Sequence, residues 1–235
     1  MENANEECSR KLRDEAAGAL ALYDYLARLF LDPVPVPGTT HLVDLHERTS
    51  LLFGGAPNEG DDTGVPREMA AWITQVAQLR MRPAEEGSMR EKLEDEQRLV
   101  AADRTQLCRG THVNGPLPPY EEYYAVAARD ETSGDTPAST AAAAYRQAGV
   151  HPDEQHKERA DYAGTELAFL AYLARRELEA YDQEDLAEAA AARKNREAFE
   201  RAHLPWMGVY ADAALPHACT LFWQGALHVL KAMTN

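Results

Sequence analysis

The sequence predicts an all-α fold, a single-domain helical bundle of about eight to ten helices. Two observations carry this. Apolar residues return every three or four positions through nearly every segment, the period of one face of a helix. No stretch sustains the period-two alternation of β-branched residues that a half-buried strand requires.

The first helix carries Leu12, Ala16, Ala19, Leu22, Tyr23, Leu26, Leu29 and Phe30 after Ser9, which reads as its N-cap. It must stop at Asp32-Pro33, because the VPVPG run removes N–H donors and restricts the residue before each proline. A second helix is expected from about Thr40 to Phe53, with Gly54-Gly55 as its stop and an exposed loop over 56–64. Val65 to Met81 reads as the third. Ser88 to Leu107 reads as the fourth, with Glu86/Arg90 and Glu94/Arg98 spaced to pair along its charged face.

Gly110 to Pro119 breaks the pattern, which resumes over Tyr120 to Ala128 and again over Pro137 to Gln147. Two long helices follow, from about Glu154 to Ala180 and from about Gln183 to His203. The last is expected to start at Pro216 and end near Met233. Within the domain this suggests an N-terminal lobe over about 1–128, a C-terminal lobe over about 137–235 and a hinge loop over about 129–136.

With 235 residues, 45% of them hydrophobic, the chain can bury a sizeable core. No apolar run approaches the roughly 20 residues needed to span a bilayer, and the start, MENANEECSR, lacks the basic and apolar regions of an export signal. A cytoplasmic protein without stable membrane insertion is expected. Cys8, Cys108 and Cys219 are far apart, so neither a disulfide framework nor a CxxC site is suggested. The formal charge of −15 repels phosphate backbones, which argues against nucleic acid, and either keeps the protein soluble or steers a basic peptide toward it.

Motifs for chemistry are missing. The eight histidines include no HxxxH pair, and His41/His46 and His151/His156 are five apart and point different ways on a helix, so no metal is expected. GxxxxGK[ST], GxGxxG and GxSxG do not occur. The sequence nominates no enzyme and no cofactor.

Three segments stand apart from plain core or surface. In the first, Asp103 to Leu107 and Gly110 lead through Gly115-Pro116-Leu117-Pro118-Pro119 into Tyr120-Glu121-Glu122-Tyr123-Tyr124. Acids in a helix's first turn suit its dipole, and tyrosine faces beside carboxylates are the mixture that receives a guanidinium. Glu121 could equally cap the helix, with Tyr120 and Tyr124 sealing the loop. In the second, Tyr162, Glu166 and Phe169 share one helical stripe. Here Asp161 and Glu166, like Asp103, read either as site acids or as structural partners of Arg159 or Arg104. The third is Phe199 to Trp206 continuing through Tyr210, in which Trp206 reads as core or platform and His203 as a helix-terminal cation or cap.

In order and spacing, ADRTQL, Gly110, PPYEEYY, ELAFLAYL and HLPWMGVY resemble the conserved elements of the TorD/DmsD/NarJ family of redox-enzyme maturation chaperones, over roughly residues 95–230. The N-terminal third is similar only in being helical. Two positions depart from the family pattern: Glu122 stands where a serine is usual, and Tyr162 where a histidine commonly follows the acid. The resemblance implies a chaperone, not an enzyme. Such a protein binds the basic twin-arginine leader and the apo form of a molybdopterin oxidoreductase, assists cofactor insertion and delays export. It also implies leader-binding residues at Asp103, Gln106, Tyr120, Glu121, Tyr124, Asp161, Tyr162, Glu166 and Trp206. The alternatives are a NarJ-type assembly chaperone for a client without a cleavable leader, and an acidic helical adaptor unrelated to molybdoenzymes. Nucleotide use is the remaining class, for which no phosphate cradle is visible.

Overall fold

The computed structural model describes residues 2–54, 65–81, 86–110, 115–125, 135–151 and 158–234. Among the described residues there are ten α-helices, a 3-10 turn at Leu215–His217 and no strand, so the fold is all-α as predicted. One antiparallel bridge joins Tyr120 and Tyr162. The chain forms two units, Met1–Leu31 with Tyr120–Trp206, and Asp32–Pro119 with Met207–Asn235. Met1–Leu31 thus groups with Tyr120–Trp206 and not with the remainder of the first 128 residues. Most of the hinge expected over 129–136, the loop over 56–64, Gly55 and His156 lie outside the described residues.

The first unit is built on α1 (Glu2–Leu31), α5 (Glu121–Tyr124), α6 (Pro137–Gln147), α7 (Ala163–Asp182) and α8 (Leu186–His203). Ser9 lies inside α1 and does not cap it. Its buried stripe, Ala16, Tyr23, Leu26 and Phe30, packs along α7. The approach is close at Gly164, where a Cβ would fall 2.8 Å from Leu31 Cγ. Between α7 and α8, Arg196 forks onto Glu177 and Glu200, and Tyr23 Oη donates to Glu200 at 2.7 Å. Burial beside Glu200 pushes the Tyr23 phenol far above its usual range. α6 starts where predicted, with Thr136 and Ser139 in a capping box and Pro137 at the first helical position.

α7 starts at Ala163 and not near Glu154. Tyr162 is extended, with φ −82° and ψ 135°, because its backbone pairs with Tyr120. Pairing across the fold overrides local helical preference here.

The second unit holds α2 (Thr40–Phe53), α3 (Arg67–Met81), α4 (Glu86–Arg109) and α10 (Leu221–Ala232) around Met69, Trp72, Phe222 and Trp223. α9 (Pro205–Ala214) begins in the first unit and continues in the second. α2 has the predicted bounds. On α4, Arg90 pairs with Glu94, whereas Arg98 bonds Asp95 and the Glu94 carbonyl. Pro216 sits in the 3-10 turn, and α10 begins later, capped by Thr220.

Asp103 explains that start. Its buried carboxylate accepts from Cys219 N at 3.0 Å, Thr220 N at 2.7 Å and Thr220 Oγ1 at 2.7 Å. Asp103→Ala should orphan these donors and cost about 2–3 kcal/mol, at about 1 kcal/mol each. Asp103→Asn should cost about half as much, as one acceptor oxygen remains. Urea unfolding of the three proteins checks this; equal midpoints would show that Thr220 suffices as cap.

Candidate functional site

The site lies in the first unit and starts from the Tyr120–Tyr162 bridge. Glu121 N donates to the Asp161 carbonyl at 2.9 Å and Glu122 N to Asp161 Oδ2 at 3.3 Å, so the N-terminus of α5 is fastened to the residue pair that precedes α7. Tyr162 Oη donates to the Phe30 carbonyl at 3.1 Å, and its ring, wholly buried, meets those of Tyr120 and Phe30. Two acids at the start of α5 are thereby turned opposite ways: Glu121 is buried and Glu122 is half-exposed.

Glu121 reaches inward. Its Oε2 meets His203 Nδ1 at 2.8 Å. Glu166, one turn into α7 and 0% exposed, accepts from Trp206 Nε1 at 2.9 Å through Oε2. Trp206 stacks on Tyr124, with centroids 6.0 Å apart and planes at 19°, and His203 stacks on Phe199 at 4.3 Å. His203 lies in the last turn of α8, as read from the sequence, but is buried there and links α8 to α5 through Glu121.

Burial is the main cause that pushes the Glu166 carboxyl well above the usual range, and the neighbouring Glu121 charge adds to it. Among the described residues Oε1 of Glu166 has no donor, which is what two facing acceptors produce unless one carries a proton. A proton on Glu166, which its raised affinity for one favours, would supply that hydrogen toward Glu121.

Glu121, Glu166 and His203 offer ligand atoms within 4.8 Å of one another. Two carboxylates and an imidazole suit a divalent cation in kind. The contact of 2.8 Å between Glu121 and His203 is, however, a hydrogen bond. Ligands about 2.0–2.1 Å from a tetrahedral ion stand roughly 3.3 Å apart. That pair is drawn to hydrogen-bonding distance, and holding a cation would require it to open, while Glu166 Oε1 stands 4.0 Å from His203 Nδ1. Spacing along one helix could not reveal this group, because its members come from α5, α7 and α8.

Outward, the cluster is basic, acidic and aromatic at once. Arg159 forks onto Asp161, with Nε to Oδ1 and Nη2 to Oδ2 both at 2.9 Å, and Nη2 also pairs with Glu122. Its Cζ stands 5.0 Å from the Tyr120 ring centroid. Tyr120 Oη donates to Glu158 at 3.0 Å, and Tyr123 packs edge-on against Tyr120.

Of the residues singled out in the sequence, Tyr120, Glu121, Tyr124, Asp161, Tyr162, Glu166 and Trp206 come together here. Asp103 and Gln106 lie on α4 in the second unit, where Asp103 serves the start of α10 and Gln106 is half-buried. Arg159, Glu122 and His203 were not among the residues implied to bind a leader. The signal for His203 was its place in the HLPW element. Arg159 was read only as a structural partner of Asp161, and that is the pair it makes.

The family model described as nitrate reductase delta subunit matches residues 59–212. No curated protein and no solved structure matches the chain. No helix among the described residues is long and apolar enough to cross a membrane.

Proposed function

The chain belongs to the nitrate reductase delta subunit family, and from that membership we propose that it is a cytoplasmic maturation chaperone and not an enzyme. Its client is the apo catalytic subunit of a molybdopterin oxidoreductase. It binds that subunit's basic N-terminal leader, so that cofactor insertion precedes export. Arginine recognition is supported above all by one observation: Asp161, Glu122 and Tyr120 together already hold one guanidinium, that of Arg159. A planar fork on a carboxylate with a ring face beside it is selective for arginine over lysine. Glu121, Glu166, Trp206 and Tyr124 support this surface from beneath, since the first three are buried. The charge of −15 supplies long-range attraction for a basic segment.

Membership in the nitrate reductase delta subunit family favours a second reading, a client without a cleavable leader that presents a short N-terminal helix instead. Both are tested by isolating the native complex and identifying the partner by mass spectrometry. A molybdoenzyme partner is expected, and its N-terminus separates the two readings. A partner of another class would favour an acidic helical adaptor.

Raising salt from about 50 mM to about 500 mM should slow association with the leader by roughly tenfold or more and leave dissociation nearly unchanged, because screening acts on the encounter more than on the docked pair. Stopped-flow or surface-based kinetics would measure both rates. A salt-independent association rate would point to a purely apolar groove.

A further inference from the structure

The unusual feature of the Tyr120–Asp161 cleft is the ownership of its guanidinium. Asp161 is 0% exposed, and its position is set on two sides by backbone donors, Glu122 N to Oδ2 and Glu121 N to its carbonyl. The carboxylate is therefore a fixed receptor. Arg159, by contrast, has 43% of its side chain exposed and sits on the non-helical run before Asp161, so the cation comes from the rim.

Every element of guanidinium recognition is already engaged. Asp161 takes the fork, Glu122 takes a further hydrogen from Nη2, and the Tyr120 ring lies beneath Cζ with its hydroxyl tied back to Glu158. A buried carboxylate left without such a partner is costly, so Arg159 can leave only if an equivalent cation replaces it.

We propose that Tyr120, Glu122 and Asp161 form a guanidinium-binding cleft that Arg159 fills in cis, and that an arginine of the client's basic segment enters by exchange with Arg159. This rests on the leader-binding reading above. Exchange conserves the hydrogen bonds and the ring contact. The net affinity of an incoming arginine is then lowered by the fraction of molecules in which Arg159 is seated. A tethered competitor is present at millimolar or higher effective concentration, which is enough to reject isolated arginines. An extended segment with further contacts would still displace it. Arg159 is thus a specificity-determining residue, admitting only ligands that offer more than one arginine's worth of contact.

The test uses the full chain, Arg159→Ala and Arg159→Lys, with two probes. The first is ethylguanidinium, with ethylammonium as its control. Arg159→Ala should melt below the parent and regain most of the loss with millimolar ethylguanidinium but not with ethylammonium, while the parent gains nothing. The second is a synthetic peptide of two adjacent arginines followed by an apolar run, with its dilysine counterpart. Arg159→Ala should bind the arginine peptide roughly 10- to 100-fold more tightly than the parent, by removal of the tethered competitor. Arg159→Lys keeps a cation beside Asp161 without the fork, is expected to fold where the alanine variant fails, and should bind with intermediate affinity. Absence of guanidinium rescue, with Arg159→Lys binding the peptide no better than the parent, would overturn the cleft. Equal peptide affinity in parent and variants, despite rescue, would overturn the exchange and leave leader binding standing. Rescue with no peptide binding in any of the proteins would support the cleft and defeat the leader reading.

Discussion

Trp206→Ala should lower the thermal midpoint by roughly 6–20 °C. Removing a buried tryptophan costs about 3–5 kcal/mol. In a chain of this size each kcal/mol is worth about 2–4 °C. Two losses combine. Tyr124 loses the ring it stacks on, and Glu166 Oε2 loses the indole donor, in a place that water does not reach. Trp206→Phe separates them, since it keeps most of the ring area and deletes the N–H. It should cost about 1–3 kcal/mol, the penalty of one buried unsatisfied acceptor. Calorimetry of both variants decides the matter. If Trp206→Phe is as stable as the parent, the indole hydrogen bond contributes nothing and Trp206 acts only by packing. The same measurement bears on leader binding, because a loss of peptide affinity has meaning only at temperatures where the variant remains folded.

Wherever helix bounds depended on neighbours in sequence, they were legible. α2 and α6 have the predicted limits because proline, glycine and a capping box act over a few residues. Limits set from across the chain were not. Ser9 is a good cap by type, yet α1 extends past it to Glu2. Pro216 is a good first-turn residue, yet α10 waits for Thr220, whose amide and hydroxyl are met by Asp103 on a helix far away in sequence. α7 starts late because Tyr162 is committed to Tyr120.

The site divides in the same manner. The order of the PPYEEYY, ELAFLAYL and HLPW elements marked most of its members, since each element contributes a chemically distinctive side chain. Their division of labour was invisible. Glu121 and Glu122 are identical in type and adjacent, and only the fastening of α5 to Asp161 sends one to His203 and the other to Arg159. Asp103 resembles the site acids in burial and in its place beside a family-like element, but its lone pairs are spent on the start of α10.

Glu166 should make the protein less stable as pH rises, and Glu166→Gln should remove that dependence. The folded-state carboxyl is held well above the ordinary glutamate range, first by burial and then by Glu121. Between the unfolded value, about 4.3, and the raised folded value, the native state carries a proton that the unfolded state has lost. Stability contributed by protonated Glu166 is therefore complete below the unfolded value and is lost as pH rises through the folded one. A glutamine places an amide where the acid has its hydroxyl: its oxygen still accepts from Trp206, and its NH₂ can donate toward Glu121 at every pH. The parent and Glu166→Gln should thus have similar midpoints near pH 5 and diverge by about pH 9, with the variant the more stable. Glu166→Ala should be worse than both throughout, by about 3–4 kcal/mol, since it leaves a cavity and an orphaned indole N–H in a dry interior. Thermal melts of the three proteins across this range read the effect. Parallel curves for parent and Glu166→Gln would mean that Glu166 is ionised in the folded protein.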